Sequence, residues 1–185
     1  MTNLESDLQT LVARHAALAR GATLTRLLDA LIDPSIMTGR PELLKGTPLF
    51  INLGADGKPT DGDHVAVYQT ATDLIWTAAP LGTELTHPDA MKAASDCRLL
   101  GATDWRGPSQ PELFSILDFE FWDPCVNPRH FKGPYGYTWS STSYKGAAGY
   151  FRGVNLSSGD SGCYHQDYHY RALAVRAGQQ LGLRI

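Results

Sequence analysis

Near the C-terminus, His165, Asp167 and His169 put two imidazoles and a carboxylate within five residues. In an extended segment over 164–170, side-chain alternation would bring all three to one face, where they could hold a divalent metal. The spacing is not diagnostic, no fourth ligand stands out beyond Asp160, and polar display at a surface is the competing reading. Of the thiols Cys97, Cys125 and Cys163, the last two lie in unrelated contexts, and neither sits in a recognisable electropositive helix-terminus setting that would favour a thiolate. Three cysteines cannot all pair, and a bridge needs Cα atoms within about 7 Å, so three buried or half-buried free thiols are expected. No nucleophile elbow singles out a Ser-His-Asp or Cys-His set. The expectation is a chain with no catalytic residue, no metal and no cofactor.

A different chemistry is concentrated in the same place. From Ser157 to Tyr170 the chain offers Asp160, Tyr164, His165, Gln166, Asp167, Tyr168, His169 and Tyr170 among small polar residues. Antibody loops use a similar set, with rigid amphipathic rings for contact area and small residues for adaptability. Tyr144, Tyr150 and Phe151 extend the patch. The ligand-binding candidates are therefore Tyr144, Tyr150, Asp160, Tyr164, His165, Asp167, Tyr168 and His169. The competing reading packs the rings beneath a loop, for one of Tyr168 and Tyr170 in particular. Ser, Gly, Asp, Cys, Tyr and His are also the residues reached from an Asn codon when its adenines change, as in retroelement-diversified loops; an ordinary Gly/Ser loop has the same composition.

The elements that must position this segment are short. Tyr137–Tyr144, Gly149–Leu156 and Tyr170–Arg176 are aromatic and β-branched runs separated by Gly, Ser, Asn and Asp, which predicts strands and turns. Leu49–Leu53 and His64–Gln69 predict two more strands around a turn over Gly54–Pro59 that contains Asp56-Gly57. A helix is predicted from Pro88 to Leu100, with Met91, Ala94 and Leu99 inward. Another follows Ser109, which has capping-box spacing to Glu112 ahead of the stripe Leu113, Ile116 and Leu117. Trp76, Trp105 and Trp139 are expected to fill the core. Arg106 and Arg176 are expected to brace loop carbonyls, and Ser140, Ser141 and Thr142 to do local capping. Helices against a turn-rich antiparallel sheet make an α+β fold.

The N-terminal part differs in kind. Leu4, Leu8, Leu11, His15 and Leu18 follow an a/d seam, Thr2 and Glu5 have capping-box spacing, and a second helix capped by Thr23 carries Leu24, Leu27, Leu28, Leu31 and Ile32 up to Asp33-Pro34. Residues 1–34 are assigned to a helical docking or oligomerisation segment, with homo-oligomerisation expected through 4–32; packing of both helices on the following domain is the alternative. Gly39, Pro41, Gly46 and Pro48 mark 35–48 as a linker, leaving 49–185 as the main domain.

Several motifs together resemble the DUF1566, or Lcl C-terminal, domain family of bacterial and phage proteins, which belongs with the C-type-lectin-like folds. They are Thr72-Asp73-Leu74-Ile75-Trp76, with Asp73 where the family often has Gly; Ala93, Ala94 and Cys97; Asp104-Trp105-Arg106-Gly107-Pro108-Ser109-Gln110-Pro111-Glu112-Leu113; Trp139-Ser140-Ser141-Thr142; and Leu173-Ala174-Val175-Arg176. Ala174 stands where the family often places a second cysteine, so a disulfide to Cys97 is not implied. The resemblance implies a C-type-lectin-like domain of two helices against a twisted, mainly antiparallel sheet with long loops. It also brings in formylglycine-generating oxidases as distant relatives, hence a metal- or thiol-dependent enzyme as an alternative. The Glu-Pro-Asn, Gln-Pro-Asp and Trp-Asn-Asp signatures of calcium-dependent sugar binding are absent from the sequence.

Composition bounds the partners. The 185 residues are 43% hydrophobic and 19% charged, enough for a sizeable core. A formal charge of −3 with 16 scattered Lys and Arg argues against nucleic acid. No apolar run reaches the length of a membrane span, and the first residues lack the pattern of a secretion signal, so synthesis in the cytoplasm is expected, with a virion as carrier for any role outside the cell. The function expected is a non-enzymatic binding or structural module of a phage virion or prophage, whose partners are a host cell-surface protein or glycan and other virion proteins; a purely architectural virion or decoration role is the further alternative.

Overall fold

A computed structural model describes residues 49–133 and 135–178. The expected helical segment over 1–34 and the linker over 35–48 lie outside the described residues. Among the described residues the fold is α+β, with two sheets and two α-helices.

The first sheet begins as a meander. Strands β1 (Phe50–Leu53), β2 (Ala66–Gln69) and β3 (Leu74–Thr77) pair antiparallel, with Asn52 opposite Val67 and Val67 opposite Trp76. The β1–β2 connection turns at Gly57, whose φ of +76° suits a residue without Cβ and whose amide donates to the Gly54 carbonyl at 2.9 Å. Between β2 and β3, Asp73 has φ +53°. That left-handed position accounts for the common glycine there, and Asp is among the side chains that tolerate it; here its carboxylate also accepts the Tyr68 hydroxyl at 3.0 Å.

Helix α1 (His87–Ser95) starts where the Thr86 hydroxyl accepts the Asp89 amide, but it stops five residues before the predicted end. Its last carbonyls are taken by the Asp96 amide and by Arg98, whose guanidinium donates to the Ser95 and Cys97 carbonyls at 2.8 and 2.7 Å. The chain then turns Cys97 into the core, and Leu99–Gly101 forms a 3-10 turn in which Leu100 has φ +57°. Helix α2 (Gln110–Ser115) has both halves of the Ser109–Glu112 capping box, with Leu113 and Ile116 buried behind it.

The second sheet has the order β4 (Gly82–Leu85), β8 (Tyr170–Ala172), β5 (Tyr137–Ser143), β6 (Tyr150–Asn155), β7 (Ser161–His165). All its pairings are antiparallel except the short β5–β8 contact at Thr138 and Arg171. Two sequence expectations are corrected here. The run Tyr170–Arg176 is not one strand: it changes sheets at Leu173-Ala174, with β8 pairing β4 and β9 (Val175–Ala177) pairing β3. The crossing is held by the Thr77 amide on the Ala174 carbonyl at 3.0 Å and the Leu81 amide on the Ala172 carbonyl at 2.8 Å. The second correction concerns Ser157–Tyr170, which is not an open loop. Its middle is β7, paired to β6 with Gly162 opposite Gly153. A strand of small residues packs little on its own, and here the Tyr164 side chain lies against both glycines, its hydroxyl 2.5 Å from where a Cβ on Gly162 would stand and its ring 3.3 Å from one on Gly153.

The first sheet is buried on both faces, as side-chain alternation requires. Val67, Trp76 and Val175 point to a core with Leu113, Ile116, Val126 and Phe131, while Ala66, Tyr68, Ile75 and Ala174 meet Ala94, Cys97 and Trp105 on the other side. Trp139, Ala90 and Ala172 form a third core with Leu85 and Phe151. Cys97 and Cys125 are buried and Cys163 is half-buried, all unpaired.

Candidate functional site

The residues of the Asp-Trp-Arg and Val-Arg motifs meet each other. Arg106 and Val175 exchange backbone hydrogen bonds at 3.0 and 2.9 Å, which adds the motif segment to the outer edge of β9. Across that junction the Arg176 Nε lies 2.8 Å from the Asp104 carboxylate, and the guanidinium lies over the Trp105 ring at 5.9 Å. Arg106 grips Glu112 with two nitrogens, at 2.9 and 2.6 Å. Both arginines thus hold carboxylates, and Arg106 also donates to a loop carbonyl, that of Gly107 at 3.3 Å. The Arg106 guanidinium, with help from Ser109, holds the Glu112 carboxyl down to about 2. Stability from this carboxylate is therefore complete above its ordinary range and is lost as pH falls through about 2.

Trp76, Trp105 and Trp139 are buried, and each indole N–H has one acceptor: Gln69 Oε1 at 3.0 Å, the Leu99 carbonyl at 3.0 Å and the Leu85 carbonyl at 2.9 Å. Of the hydroxyls after Trp139, Ser140 Oγ accepts the Thr142 amide locally at 3.2 Å, as expected, but the other bonds reach distant segments. Ser140 Oγ donates to the Arg152 carbonyl at 2.8 Å, and Thr142 Oγ1 accepts the Gln110 amide at 2.9 Å, capping the start of α2.

Above this frame the β5–β6 and β7–β8 connections come together at one end of the second sheet. The Gln166 amide donates to the Gly149 carbonyl at 2.8 Å, and the His87 amide to the Gln166 carbonyl at 2.8 Å. Tyr150 is 37% exposed and sits edge-on to His165; Tyr168 is 56% exposed and stacks on Tyr170, with Asp167 and His169 exposed beside it. Tyr144 is half-buried under Arg152, whose guanidinium lies 4.9 Å from the ring centroid.

This end does not gather every expected residue. Asp160 lies in the β6–β7 turn, at the far end of the hairpin from Tyr150 and His165. Tyr164 is half-buried and makes ring contacts with Tyr137 and Tyr170 at 5.0 Å each, so its place is in the support of the face. Burial and the neighbouring phenols push its hydroxyl well above the usual tyrosine range. His165, Asp167 and His169 do not share a strand face, because 166–169 form a turn closed by the Tyr168 amide on the His165 carbonyl at 3.0 Å. His165 Nδ1 meets the Asp167 carboxylate at 3.2 Å, and no group of three His, Cys, Asp or Glu able to hold a metal ion occurs among the described residues.

Sequence reasoning missed His87. Its ring is buried, stacked on Phe151 at 3.5 Å and edge-on to Trp139 at 5.2 Å, directly below the displayed turn. Nε2 stands 3.0 Å from the Ser140 carbonyl, which can only accept, so the ring is held with its proton on Nε2. The only signal was its place before Pro88-Asp89 at the helix start. Burial depresses its basicity below the ordinary histidine range. A depressed histidine binds its proton more readily in the unfolded chain, so folding stability falls as pH drops below about 6.5. Urea midpoints measured from pH 7.5 to 5.5 should decline, and His87→Gln should flatten the profile; an unchanged slope in the variant would show that His87 does not carry it.

A separate polar cleft of about 410 Å³ is lined by Asn52, Asp61, Gly62, His64, Arg129 and His130. Its imidazoles are tied into the fold, His64 to the His130 carbonyl at 2.8 Å and His130 to Asn52 at 2.7 Å, and so pin the loop over 127–132 to β1 and β2.

No curated protein matches the chain. The profile of the Lcl C-terminal domain matches residues 65–176, which runs from the start of β2 to the ion-paired Arg176 and takes in every motif residue of the frame. More than half of the chain is covered by that match, and the chain belongs to the Lcl C-terminal domain family.

Proposed function

We propose that this domain is a non-enzymatic binding module of C-type-lectin-like type, which presents Tyr150, His165, Asp167, Tyr168 and His169 to a host cell-surface protein or glycan. The supporting observation is the exposure of these rings and polar groups together on two tight connections, over a support of packed aromatics. Tyr168 rests on Tyr170, Tyr170 on Trp139 at 4.8 Å, and Trp139 against His87. Rings held in this way lose little freedom on binding, which favours affinity from a small surface. Within this proposal the protein is carried on a phage virion, and several copies joined through residues 4–32 compensate for weak single contacts by avidity.

The test uses residues of the face that do not support it. Tyr168→Ala with His169→Ala should reduce binding of the purified protein to host cells and to an immobilised glycan array at least tenfold, while Tm stays within about 2 °C, since exposed side chains away from caps contribute little to stability. Undiminished binding by the double variant would remove the face from the proposal.

A further inference from the structure

The fourth tryptophan lies on the opposite end of the molecule's β6–β7 hairpin. Trp122 is 78% exposed and Phe119 is 74% exposed, the two most open large apolar side chains among the described residues. They stand on a closed loop. The Asp118 amide donates to the Cys125 carbonyl at 2.9 Å, which shuts the loop at its base, while the Asp123 and Cys125 amides donate to the Ser157 and Leu156 carbonyls at 3.2 and 2.8 Å, which fasten it to the β6–β7 turn. Phe119 leans on that turn, with its Cε1 2.5 Å from where a Cβ on Gly159 would stand. Trp122 has no ring partner among the described residues.

The charged residues of the loop and of the turn it is fastened to have the same sign. Asp118, Glu120 and Asp123 lie in the loop with the two rings and Asp160 in the β6–β7 turn, and no Lys or Arg occurs between Arg106 and Arg129 in sequence. Asp118 accepts the Glu120 amide at 3.1 Å and Asp160 accepts the Ser158 hydroxyl at 2.8 Å, whereas Glu120 and Asp123 enter no ion pair among the described residues. Indole and phenyl faces attract cations, and adjacent carboxylates add to that attraction. Burial of two large rings supplies contact area, which a small inorganic cation would not use.

We propose that the Phe119–Trp122 loop is a second docking surface, separate from the ring-and-imidazole face, and that its partner is a basic polypeptide segment whose Lys or Arg side chains lie over Trp122 and pair with Glu120 and Asp123. The β7 strand, five residues at about 3.3 Å each, sets the two surfaces roughly 13 Å or more apart. Preorganisation by the three backbone anchors lowers the ordering cost of docking.

Trp122 reports on its own occupancy, because Trp76, Trp105 and Trp139 are at most 3% exposed. The probe is an acetylated, amidated dodecapeptide of repeating Lys-Gly-Arg-Gly, with a Ser-for-Lys/Arg peptide and a neutral cello-oligosaccharide as comparators. The basic peptide should shield the acrylamide-quenchable fluorescence in a saturable way. By calorimetry its Kd should weaken at least fivefold in Trp122→Ala and at least fivefold in Glu120→Gln/Asp123→Asn, with Tm unchanged in both and with binding kept in Tyr168→Ala/His169→Ala. Absence of saturable binding at millimolar peptide would overturn the proposal. So would affinity that ignores Trp122→Ala, which would mean general charge attraction, or saturable binding of the oligosaccharide alone, which would make the loop a glycan platform. Loss of peptide binding only in the Tyr168/His169 variant would move the site to the other face.

Discussion

Trp139→Ala is expected to cost about 3–5 kcal/mol, as large-to-small changes at buried aromatic positions do. The indole is fully buried among His87, Tyr170 and Ala172, and its N–H holds the Leu85 carbonyl at the end of β4. Removing it opens a cavity under the β7–β8 turn and frees a backbone acceptor at once. Domains of this size are stable by only about 5–15 kcal/mol, so Tm should drop by roughly 10–20 °C. Trp139→Phe keeps most of the area and loses the hydrogen bond, and should fall between. Thermal unfolding by near-UV circular dichroism checks the order; a Trp139→Ala loss of under about 1 kcal/mol would mean that the displayed face does not rest on this residue.

The second large effect lies in the pairing of Asp104 with Arg176. Arg176 is almost fully buried, while a third of the Asp104 side chain remains open to water. Asp104→Ala leaves a buried guanidinium without its carboxylate and should cost about 2–3 kcal/mol, below the 3–5 of a fully buried pair because water reaches the acid side. In an Arg176→Met background the same Asp104→Ala change should cost less than about 0.5 kcal/mol, since no buried charge is left to strand. Urea denaturation of the four proteins gives the coupling directly. Equal costs of Asp104→Ala in both backgrounds would show that the ion pair does not join the motif segment to β9.

What the sequence made legible was local. The Ser109–Glu112 capping box depends on groups three residues apart, and the structure has both of its hydrogen bonds. The Asp56-Gly57 turn and a helix start at Pro88-Asp89 follow from the same short range, although the Thr86 cap one residue before the helix was not read. Burial of Trp76, Trp105 and Trp139 follows from indole area, yet area alone would have buried Trp122 as well. The distinguishing signal is its setting, Asp118-Phe119-Glu120-Phe121-Trp122-Asp123-Pro124, in which acids alternate with the rings.

Features set by distant partners were not legible. The break at Leu173-Ala174 exists because β3 and β4, a hundred residues earlier, belong to different sheets and each claims half of the final run. Strand β7 looked like loop because its residues are small, and its order comes from pairing with β6 and from the Tyr164 ring laid over Gly153 and Gly162. The same contact moves Tyr164 from the displayed set into the support. His87 was hidden for a similar reason, since its partners Ser140, Trp139 and Phe151 come from β5 and β6.

On the proposed function, the motif residues form a stiff frame and the β7–β8 turn is the part offered to a partner. Amide hydrogen exchange of the native protein tests it most directly, because protection follows local opening free energy. The amides of Thr77, Arg106 and Val175, which stitch the two sheets and the motif segment together, should exchange slowest, near the rate set by global unfolding. Those of Asp167 and His169, in the exposed turn, should exchange orders of magnitude faster. Exchange at Arg106 and Val175 as fast as at Asp167 would contradict the frame.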